Sequence, residues 1–260
     1  MELKLFIIGC VIFVIAKLMQ LLKKYFKIET EASKKLLKSI YSWADTIWTA
    51  LIIASFIMFF FVQAFKIPSG SMRNTLKEGD HLFVNKCFYG FKVPFKYVGK
   101  RYGALKQIKR GDVVVFQCPP EALTSDERRR GITKDFIKRC IAVGGDKVEI
   151  RDKKLYLNDV FVEEVYAIHG DDSVLQSFSL FRNSEDYQQA WERGSFASVP
   201  PAFARDNFGP VIVPQGCYMM MGDNRDFSFD SRFWGPLPDK YIKWKAILLY
   251  WPVNRWKVIS

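Results

Sequence analysis

An uncharged run of twenty residues limits what this chain can fold into more than any other feature of its sequence. The run is TIWTALIIASFIMFFFVQAF, at residues 46–65. As a helix it is long enough to cross a bilayer core of about 30 Å. A helix buried in a soluble protein is rarely so uniformly apolar. Trp43 and Trp48 lie where an aromatic belt at the membrane interface is expected. The sequence therefore predicts a transmembrane helix over residues 43–65.

A second apolar segment precedes that helix. Its uninterrupted core, residues 5–16, is about as long as the centre of a signal peptide and is short for a complete span. Lys17 ends the core, although a lysine side chain can extend toward a membrane interface. No small-x-small cleavage pattern follows Ala16, because Lys17 and Leu18 come next. We therefore expect residues 1–22 to be a retained transmembrane anchor helix, in preference to a removed signal sequence.

The connector between the two predicted helices, residues 23–42, is basic. It carries six lysines against two glutamates. Short basic loops remain on the cytoplasmic side of a membrane. The same composition is also typical of a solvated amphipathic helix, and the two interpretations are compatible. Two spans around a cytoplasmic loop predict that residues 66–260 form an extracytoplasmic domain.

The sequence of that domain predicts mostly β-structure. Short runs rich in β-branched and aromatic residues follow one another, and Gly-Asp pairs stand beside several of them. The polar residues 151–154, between two such runs, predict a hairpin. Strands are predicted at 81–85, 112–116, 136–143, 148–150, 155–157, 211–213, 218–221 and 246–251. The predicted fold class is an antiparallel β-sheet domain preceded by two transmembrane helices.

The β pattern fades in an irregular insert at about residues 166–210. Ser184 is a suitable N-cap, and acidic residues follow it in what would be the first turn. Gly194 can end a helix, because glycine readily adopts the left-handed conformation found there. The insert is therefore predicted to contain one helix over residues 184–193.

Charge and composition narrow the classes of partner. The formal net charge of +12 favours either nucleic acid or the anionic face of a membrane. The membrane is the simpler explanation, since the apolar spans are already present. Five cysteines match no zinc pattern, and an odd count argues against a dense disulfide framework. With only two histidines, a His-rich metal site is not expected.

The uncharged run ends in the segment FKIPSGSMRNTL, at residues 65–76. It contains Ser69 and Ser71 on either side of a glycine, directly after Pro68. Proline fixes its own φ angle and glycine tolerates angles that other residues avoid, so such a turn can hold a serine hydroxyl and neighbouring N–H groups in a fixed arrangement. An ordinary solvated loop has the same composition, and this segment alone does not decide between the two.

A lysine is the candidate partner of such a serine. Neither His81 nor His169 lies where a Ser–His–acid triad is easily built, and each reads as a surface residue. A serine can instead be activated by a neutral lysine. Strand alternation over residues 135–143 sets Lys138 between Phe136 and Cys140 on one face. A lysine among apolar neighbours is unusual, although an edge-strand lysine that prevents aggregation would look the same.

A third segment, MGDNRDFSFDSRFWG at residues 221–235, concentrates charged and hydrogen-bonding side chains beside four aromatic residues. Such a mixture indicates an ordered and partly buried polar network. A solvated loop is the alternative interpretation.

Together these segments resemble the type I signal peptidases of bacteria, membrane-bound Ser–Lys proteases that cut signal peptides from exported proteins. The matching pieces are PSGSM at 68–72, RGDVVVF at 110–116, KR followed by AVGGD at 138–146, and GDNRD-x-S-x-DSR at 222–232. WGPLPDKYI and LLYWP near the C-terminus are also similar to that family. Two other classes of protein are alternatives: a membrane-anchored β-domain that serves as a scaffold or binding module, and a self-cleaving Ser–Lys repressor domain. The first explains the spans and strands but not the combined motifs, and the second shares the chemistry but does not explain the two spans.

The resemblance implies a role for each matching residue. Ser71 would be the nucleophile and Lys138 the general base. Ser69 would donate its hydroxyl to the oxyanion hole, together with the backbone N–H of Ser71, and Ser228 would orient Lys138. Asp230 and Arg232 would form a structural ion pair. The residues that would line the substrate pockets are Ile67, Pro68, Met72, Leu76 and Ile137. No metal and no cofactor is implied.

The resemblance also implies the partners and the location. Shallow apolar pockets would accept preprotein signal peptides with small residues before the cut, in the pattern Ala-x-Ala. Membrane lipids and the secretion translocon would be further partners, and nucleic acid would not. The protein would be a multi-pass protein of the bacterial inner membrane, with its catalytic domain on the periplasmic side.

Three residues depart from the family pattern. Asn74 stands where proline is usual, which is expected to loosen the serine turn. Phe227 replaces a usual asparagine, which is expected to alter one hydrogen bond of the polar loop and to shift the environment of Lys138. Cys140 lies two residues from Lys138 on the same predicted strand face, so an accessible thiol there would make the enzyme sensitive to thiol reagents.

Overall fold

The computed structural model describes residues 7–8, 10–15, 17–18, 31–90, 102–170, 172–175, 181 and 183–259. They fall into two compact units, residues 1–63 and 64–260, and each is considered by itself.

The N-terminal unit contains a helix over Glu31–Phe60. Within the described residues, its segment Lys38–Met58 is long and apolar enough to cross a membrane by length and composition. Of the first predicted helix, residues 7–8, 10–15, 17 and 18 are described and are helical, and the remainder of residues 1–22 lies outside the described residues. The predicted loop lies outside them too, up to residue 30.

The long helix has different ends from those predicted. It begins at Glu31, inside the expected loop, and it stops at Phe60 instead of Phe65. Strand β1, Val62–Lys66, uses the end of the apolar run. Phe65 packs against a core cluster of the β-domain, and this burial explains why the last apolar residues form an edge strand. The predicted boundary at residue 65 is therefore wrong by five residues.

Within the described residues, the larger sheet has eight strands. Besides β1, they are β2 His81–Asn85, β3 Val113–Gln117, β4 Asp135–Val143, β9 Cys217–Met221, β10 Leu237–Pro238, β11 Ile242–Trp251 and β12 Lys257–Val258. Their order is β1-β2-β11-β3-β4-β9-β10, with β12 paired to β11. The pairs from β2 to β10 along this path are antiparallel.

The smaller sheet is antiparallel and has the order β7-β6-β5-β8. Its strands are β5 Lys147–Arg151, β6 Lys154–Leu157, β7 Val160–Val162 and β8 Phe208–Ile212. The predicted hairpin at 151–154 is present, with Asp152 and Lys153 at φ angles of 47° and 67°. Two consecutive positive φ angles are the geometry of a type I′ turn, which suits a two-residue hairpin. The mostly antiparallel β prediction is confirmed.

The insert at 166–210 is more ordered than the sequence indicated. Its helix is Ser184–Glu192, and the N-cap is Asn183, whose side chain accepts a hydrogen bond from Asp186 N at 2.7 Å. The expected cap at Ser184 is therefore wrong by one position. Its aromatic side chains Trp191, Phe196 and Phe203 join the core of the smaller sheet, which explains how a segment with little β pattern is held in place. Two shorter helices, Ser125–Arg129 and Ser231–Trp234, complete the domain.

Candidate active site

Buried apolar side chains hold the serine turn in place. Ser71 lies in a 3₁₀ turn over Gly70–Met72, just after β1. Met72 and Leu76 are fully buried in the core cluster that also holds Ile67 and Ile137. Ile67 N donates to Asp80 O at 2.9 Å, and Gly79 N donates to Ile67 O at 2.9 Å. The turn is thus fixed at both ends, and Ser71 retains 9% exposure.

Asn224 fixes the serine turn from the other side. Its backbone N–H donates to Ser71 O at 3.0 Å, and its Nδ2 donates to Gly70 O at 3.1 Å. The sequence placed Asn224 in the polar loop without a role. Since more than 150 residues separate it from the serine turn, no local pattern could reveal this pairing.

Lys138 lies on β4 and is only 5% exposed. Burial lowers the pKa of Lys138 to about 8, the negative charge of Asp230 opposes this, and the positive charge of Arg232 adds to it. Nζ lies 6.0 Å from the centre of the Phe136 ring, as the strand alternation predicted. Among the residues that the structure describes, no carboxylate forms an ion pair with Lys138.

Ser228 brings a buried hydroxyl to the same region. Its Oγ has no well-aligned hydrogen-bond partner among the described residues, although it lies close enough to Asp230 to help lower the pKa of that carboxyl. Gly222 lies between Ser228 and the serine turn, because a Cβ atom added there would fall 2.3 Å from Ser228 Oγ and 2.5 Å from Ser71 O. Any side chain at residue 222 would push the two serine segments apart, which gives a physical reason for the glycine.

The ion pair between Asp230 and Arg232 is buried and fully partnered. Arg232 Nε and Nη2 each donate to the carboxylate at 2.9 Å. Burial alone would raise the pKa of Asp230, but the charge and hydrogen bonds of Arg232 outweigh it and keep the pKa below its usual value. Arg232 also donates to Arg205 O at 2.7 Å and to Arg225 O at 2.6 Å. The pair therefore holds the loop to itself and to the insert.

A second buried ion pair joins the strand of Lys138 to the polar loop. Arg139 donates to Asp223 through Nε at 2.9 Å and through Nη2 at 2.8 Å. Thr75 Oγ1 donates to the same carboxylate. Because Thr75 follows the serine turn, this one carboxylate connects three chain segments around the site.

Residues 164–170 run alongside the polar loop as an outer brace. The Arg139 guanidinium lies 4.0 Å from the centre of the Tyr166 ring. The other contacts are Arg225 Nη2 to Glu164 Oε1 at 2.6 Å, Ile168 N to Asp223 O at 2.8 Å, Arg225 N to Ile168 O at 2.9 Å, and Gly170 N to Asp226 Oδ2 at 2.7 Å. The start of the insert thus supports the loop that carries Ser228.

A cavity of about 640 Å³ opens at these segments. Five predicted site residues line it: Pro68, Ser69, Ser71, Ile137 and Lys138. Its other lining residues are Gly70, Arg73, Glu78, Lys134, Asp135, Phe136, Asn224, Phe227 and Phe229. The predicted pocket residues Ile67, Met72 and Leu76 lie instead in the core, and Ser228, Asp230 and Arg232 are buried outside this lining. The cavity therefore brings the candidate nucleophile and base together.

The three residues that depart from the family pattern lie in different surroundings. Asn74 Nδ2 donates to Tyr166 O at 3.0 Å, so the side chain ties the turn to the brace. Phe227 is exposed at the cavity. Cys140 is fully buried in a core cluster with Met220, and burial raises the pKa of its thiol. The condition for sensitivity to thiol reagents is therefore not met at Cys140, because the core cluster covers the thiol.

Comparison with known proteins gives a consistent result. The family model for signal peptidase, peptidase S26, matches residues 40–251. Signal peptidase I of Pseudomonas fluorescens is 32% identical over 81% of this chain and 72% of its own length. A probable signal peptidase I-2 of Synechocystis is 30% identical over 81% and 72%. The thylakoidal processing peptidase 1 of Arabidopsis thaliana is 31% identical over 82% of this chain, which spans 48% of that longer relative.

Proposed function

The chain belongs to the signal peptidase family, peptidase S26, and on that premise we propose that it is a membrane-anchored endopeptidase that removes signal peptides from exported preproteins with a Ser–Lys dyad. Ser71 is the nucleophile of this proposal and Lys138 its general base. One observation carries it: the serine hydroxyl and the buried lysine, from segments 67 residues apart, line one cavity.

Lys138 takes the proton of Ser71 Oγ while that oxygen attacks the scissile carbonyl carbon. The lysine must be neutral to do so, and a pKa of about 8 leaves a useful fraction neutral near pH 7.5. The same proton then passes to the leaving amine as the peptide bond breaks. Water hydrolyses the acyl-enzyme, with Lys138 accepting its proton and Ser71 regaining one.

The developing oxyanion needs donors that are already in place. Ser69 Oγ and the backbone N–H of Ser71 take this role in the proposal, since both belong to a turn fixed by Asn224 and by the core. Each preorganised donor lowers the barrier by about 3–4 kcal/mol. Ser228 orients Lys138 in this proposal. Its buried hydroxyl makes no well-aligned hydrogen bond in the structure, so the contact with Lys138 forms when the substrate closes the site.

The preprotein binds as an extended strand. Within the described residues β9 pairs with β4 only from Arg139 onward, so the 135–138 part of β4 has an open edge beside the cavity. An added strand would gain main-chain hydrogen bonds there, and pockets would select its side chains. Pro68 and Ile137 form the walls that favour Ala-x-Ala. Ile67, Met72 and Leu76 support those walls from the core.

The proposed location follows from the apolar helix and the family. The helix containing Lys38–Met58 anchors the protein in the inner membrane, with residues 66–260 on the periplasmic side. A cleavage site that emerges from the translocon would then reach the side of the membrane that holds the domain with Ser71. Trp251 and Trp256 are exposed and suit contact with lipid. If brominated lipids left the emission of both tryptophans unquenched, this contact would be refuted.

Cleavage of a defined preprotein tests the proposal. We expect the purified full-length chain in detergent to cut a preprotein with an Ala-x-Ala site once, after the second alanine. The Ser71→Ala protein should cut none of it. Ser195→Ala is the matched control, because that serine is exposed in the insert and should leave cleavage unchanged. Cleavage by Ser71→Ala, or none by the wild type, would refute the proposal, and the latter result would favour a scaffold.

A further inference from the structure

Two exposed phenylalanines line the cavity and have no part in the chemistry proposed above. Phe227 is 71% exposed and Phe229 is 43% exposed. Large apolar side chains that remain this accessible beside a binding cavity indicate a contact surface for a partner. Both belong to the polar loop that carries Ser228.

The backbone explains why these two rings face the same way. Ser228 has extended dihedral angles, φ −121° and ψ 119°. In an extended segment alternate side chains point to opposite sides. Ser228 therefore turns inward, where its hydroxyl is buried, and the residues on either side of it turn outward.

Both rings are held in place by their surroundings. Phe227 lies so close to Gly170 that a Cβ atom added to the glycine would be 2.6 Å from Phe227 Cε2. Phe229 stacks on the buried ring of Phe233, with centres 5.7 Å apart and planes 20° apart. Rings that are already ordered lose little conformational freedom when a ligand binds. A surface of this kind can discriminate between side chains.

We propose that Phe227 and Phe229 form a second apolar subsite, which takes a large aromatic or aliphatic side chain of the bound preprotein. The inference rests on the proposed function, because the peptide must occupy the cavity for this side chain to reach the rings. The subsite is distinct from the walls at Pro68 and Ile137, which favour small residues. It also accounts for two aromatic side chains that stay exposed, whereas Phe233 and Trp234 of the same loop are buried.

A peptide series tests the subsite. Each peptide keeps the two alanines of the Ala-x-Ala site. One position at a time is changed to Phe, Leu or Ala, either the x position or one of the four residues after the cut. At one of these positions we expect the wild type to prefer Phe or Leu over Ala by about 3- to 10-fold in kcat/KM, as burial of about one to two additional CH₂ groups contributes. Phe227→Ser and Phe229→Ser should bring this ratio toward one, mainly through KM. Phe227→Leu should keep most of it.

Phe161→Ser is the matched control, since Phe161 is an exposed phenylalanine on the smaller sheet. It should retain the wild-type ratio. If the wild type did not cleave these peptides, or if Ser71→Ala still cleaved them, the proposed function itself would be overturned. Two other results would overturn only the subsite, provided that cleavage depends on Ser71. In one, Phe227→Ser and Phe229→Ser keep the wild-type ratio. In the other, the wild type shows no preference. Weaker binding of these variants to lipid vesicles, with an unchanged ratio, would assign the rings to membrane contact instead.

Discussion

Lys138 and Arg232 are both buried cations beside the same loop, yet their surroundings are opposite. Arg232 is 1% exposed and donates to both oxygens of Asp230 and to the carbonyls of Arg205 and Arg225. Lys138 is 5% exposed, faces an aromatic ring, and has no paired carboxylate among the described residues. Burial without a partner destabilises the charged form of a lysine and makes it a base. Burial with several partners makes a cation part of the framework.

The same contrast separates the two hydroxyl-bearing residues of the loop. Ser231 Oγ accepts from Met220 N at 2.9 Å, whereas Ser228 Oγ has no well-aligned partner in the described part of the chain. An unsatisfied buried polar group costs free energy, so its presence calls for a reason. Here the reason is a place beside the serine turn and the cavity. In this loop, the serine proposed to take part in the chemistry lacks a well-aligned partner, and the serine that fixes the backbone has one.

The strongest test of the contrast between Lys138 and Arg232 is to replace Lys138 by methionine, an apolar side chain of similar length. We expect preprotein cleavage to fall by about 10³-fold or more, because the base is lost. The free energy of unfolding should stay the same or rise, since no partner is left unpaired. Cleavage kinetics and denaturant unfolding on the same preparation measure both. A large loss of stability in Lys138→Met would mean that this lysine is structural.

The same replacement at Arg232 should act on stability. Arg232→Met leaves the Asp230 carboxylate buried without its cation, and we expect a loss of about 3–5 kcal/mol in the free energy of unfolding. Removing both charges in Asp230→Leu/Arg232→Met should recover part of this loss. Denaturant titration of the single and double variants makes the comparison. Equal stability of Arg232→Met and the wild type would remove the framework role.

Ser228→Ala sharpens the contrast at the level of one hydroxyl. Cleavage should fall by about 10²-fold, because Lys138 loses the group that orients it. Stability should change little, since the hydroxyl removed makes no well-aligned hydrogen bond. Ser231→Ala is the matched control and should instead lower stability by about 1 kcal/mol. Full activity in Ser228→Ala would contradict the orienting role.

The smallest expected effect concerns Asn74. Asn74→Ala removes the hydrogen bond to Tyr166 O, which joins the serine turn to the outer brace. We expect a loss of about 0.5–1.5 kcal/mol in stability, as for a single hydrogen bond. Thermal unfolding of the variant measures it. A more stable Asn74→Ala protein would show that the asparagine loosens the turn, as the sequence suggested.

Local pattern was enough to find most strands. The strand His81–Asn85 has the predicted bounds, because alternating apolar residues and flanking turn residues determine a strand locally. Apolar character alone could not show that residues 62–65 leave the helix for a sheet. It also could not show which apolar residues near the serine turn face the cavity. The resemblance implied pocket walls at Ile67, Met72 and Leu76, whereas the structure buries these three side chains in the core.

The supporting contacts of the site were beyond sequence reasoning for a different reason. Arg139 meets Asp223 across 84 positions, and Arg225 meets Glu164 across 61. Contacts of this kind depend on the register of strands that are distant in the chain, and residue types carry no information about that register. The burial of Cys140 depends likewise on its pairing with Met220 on β9.

The pH dependence of kcat/KM for preprotein cleavage tests the central claim most directly. A free lysine has a pKa of about 10.4, whereas burial lowers the pKa of Lys138 to about 8. Because the neutral amine is the base, activity should rise with pH and level off above a midpoint near 8. Ser195→Ala, the exposed control serine of the insert, should leave this midpoint in place. A midpoint near 10, or a rate that does not depend on deprotonation of one group in this range, would contradict Lys138 as the depressed general base.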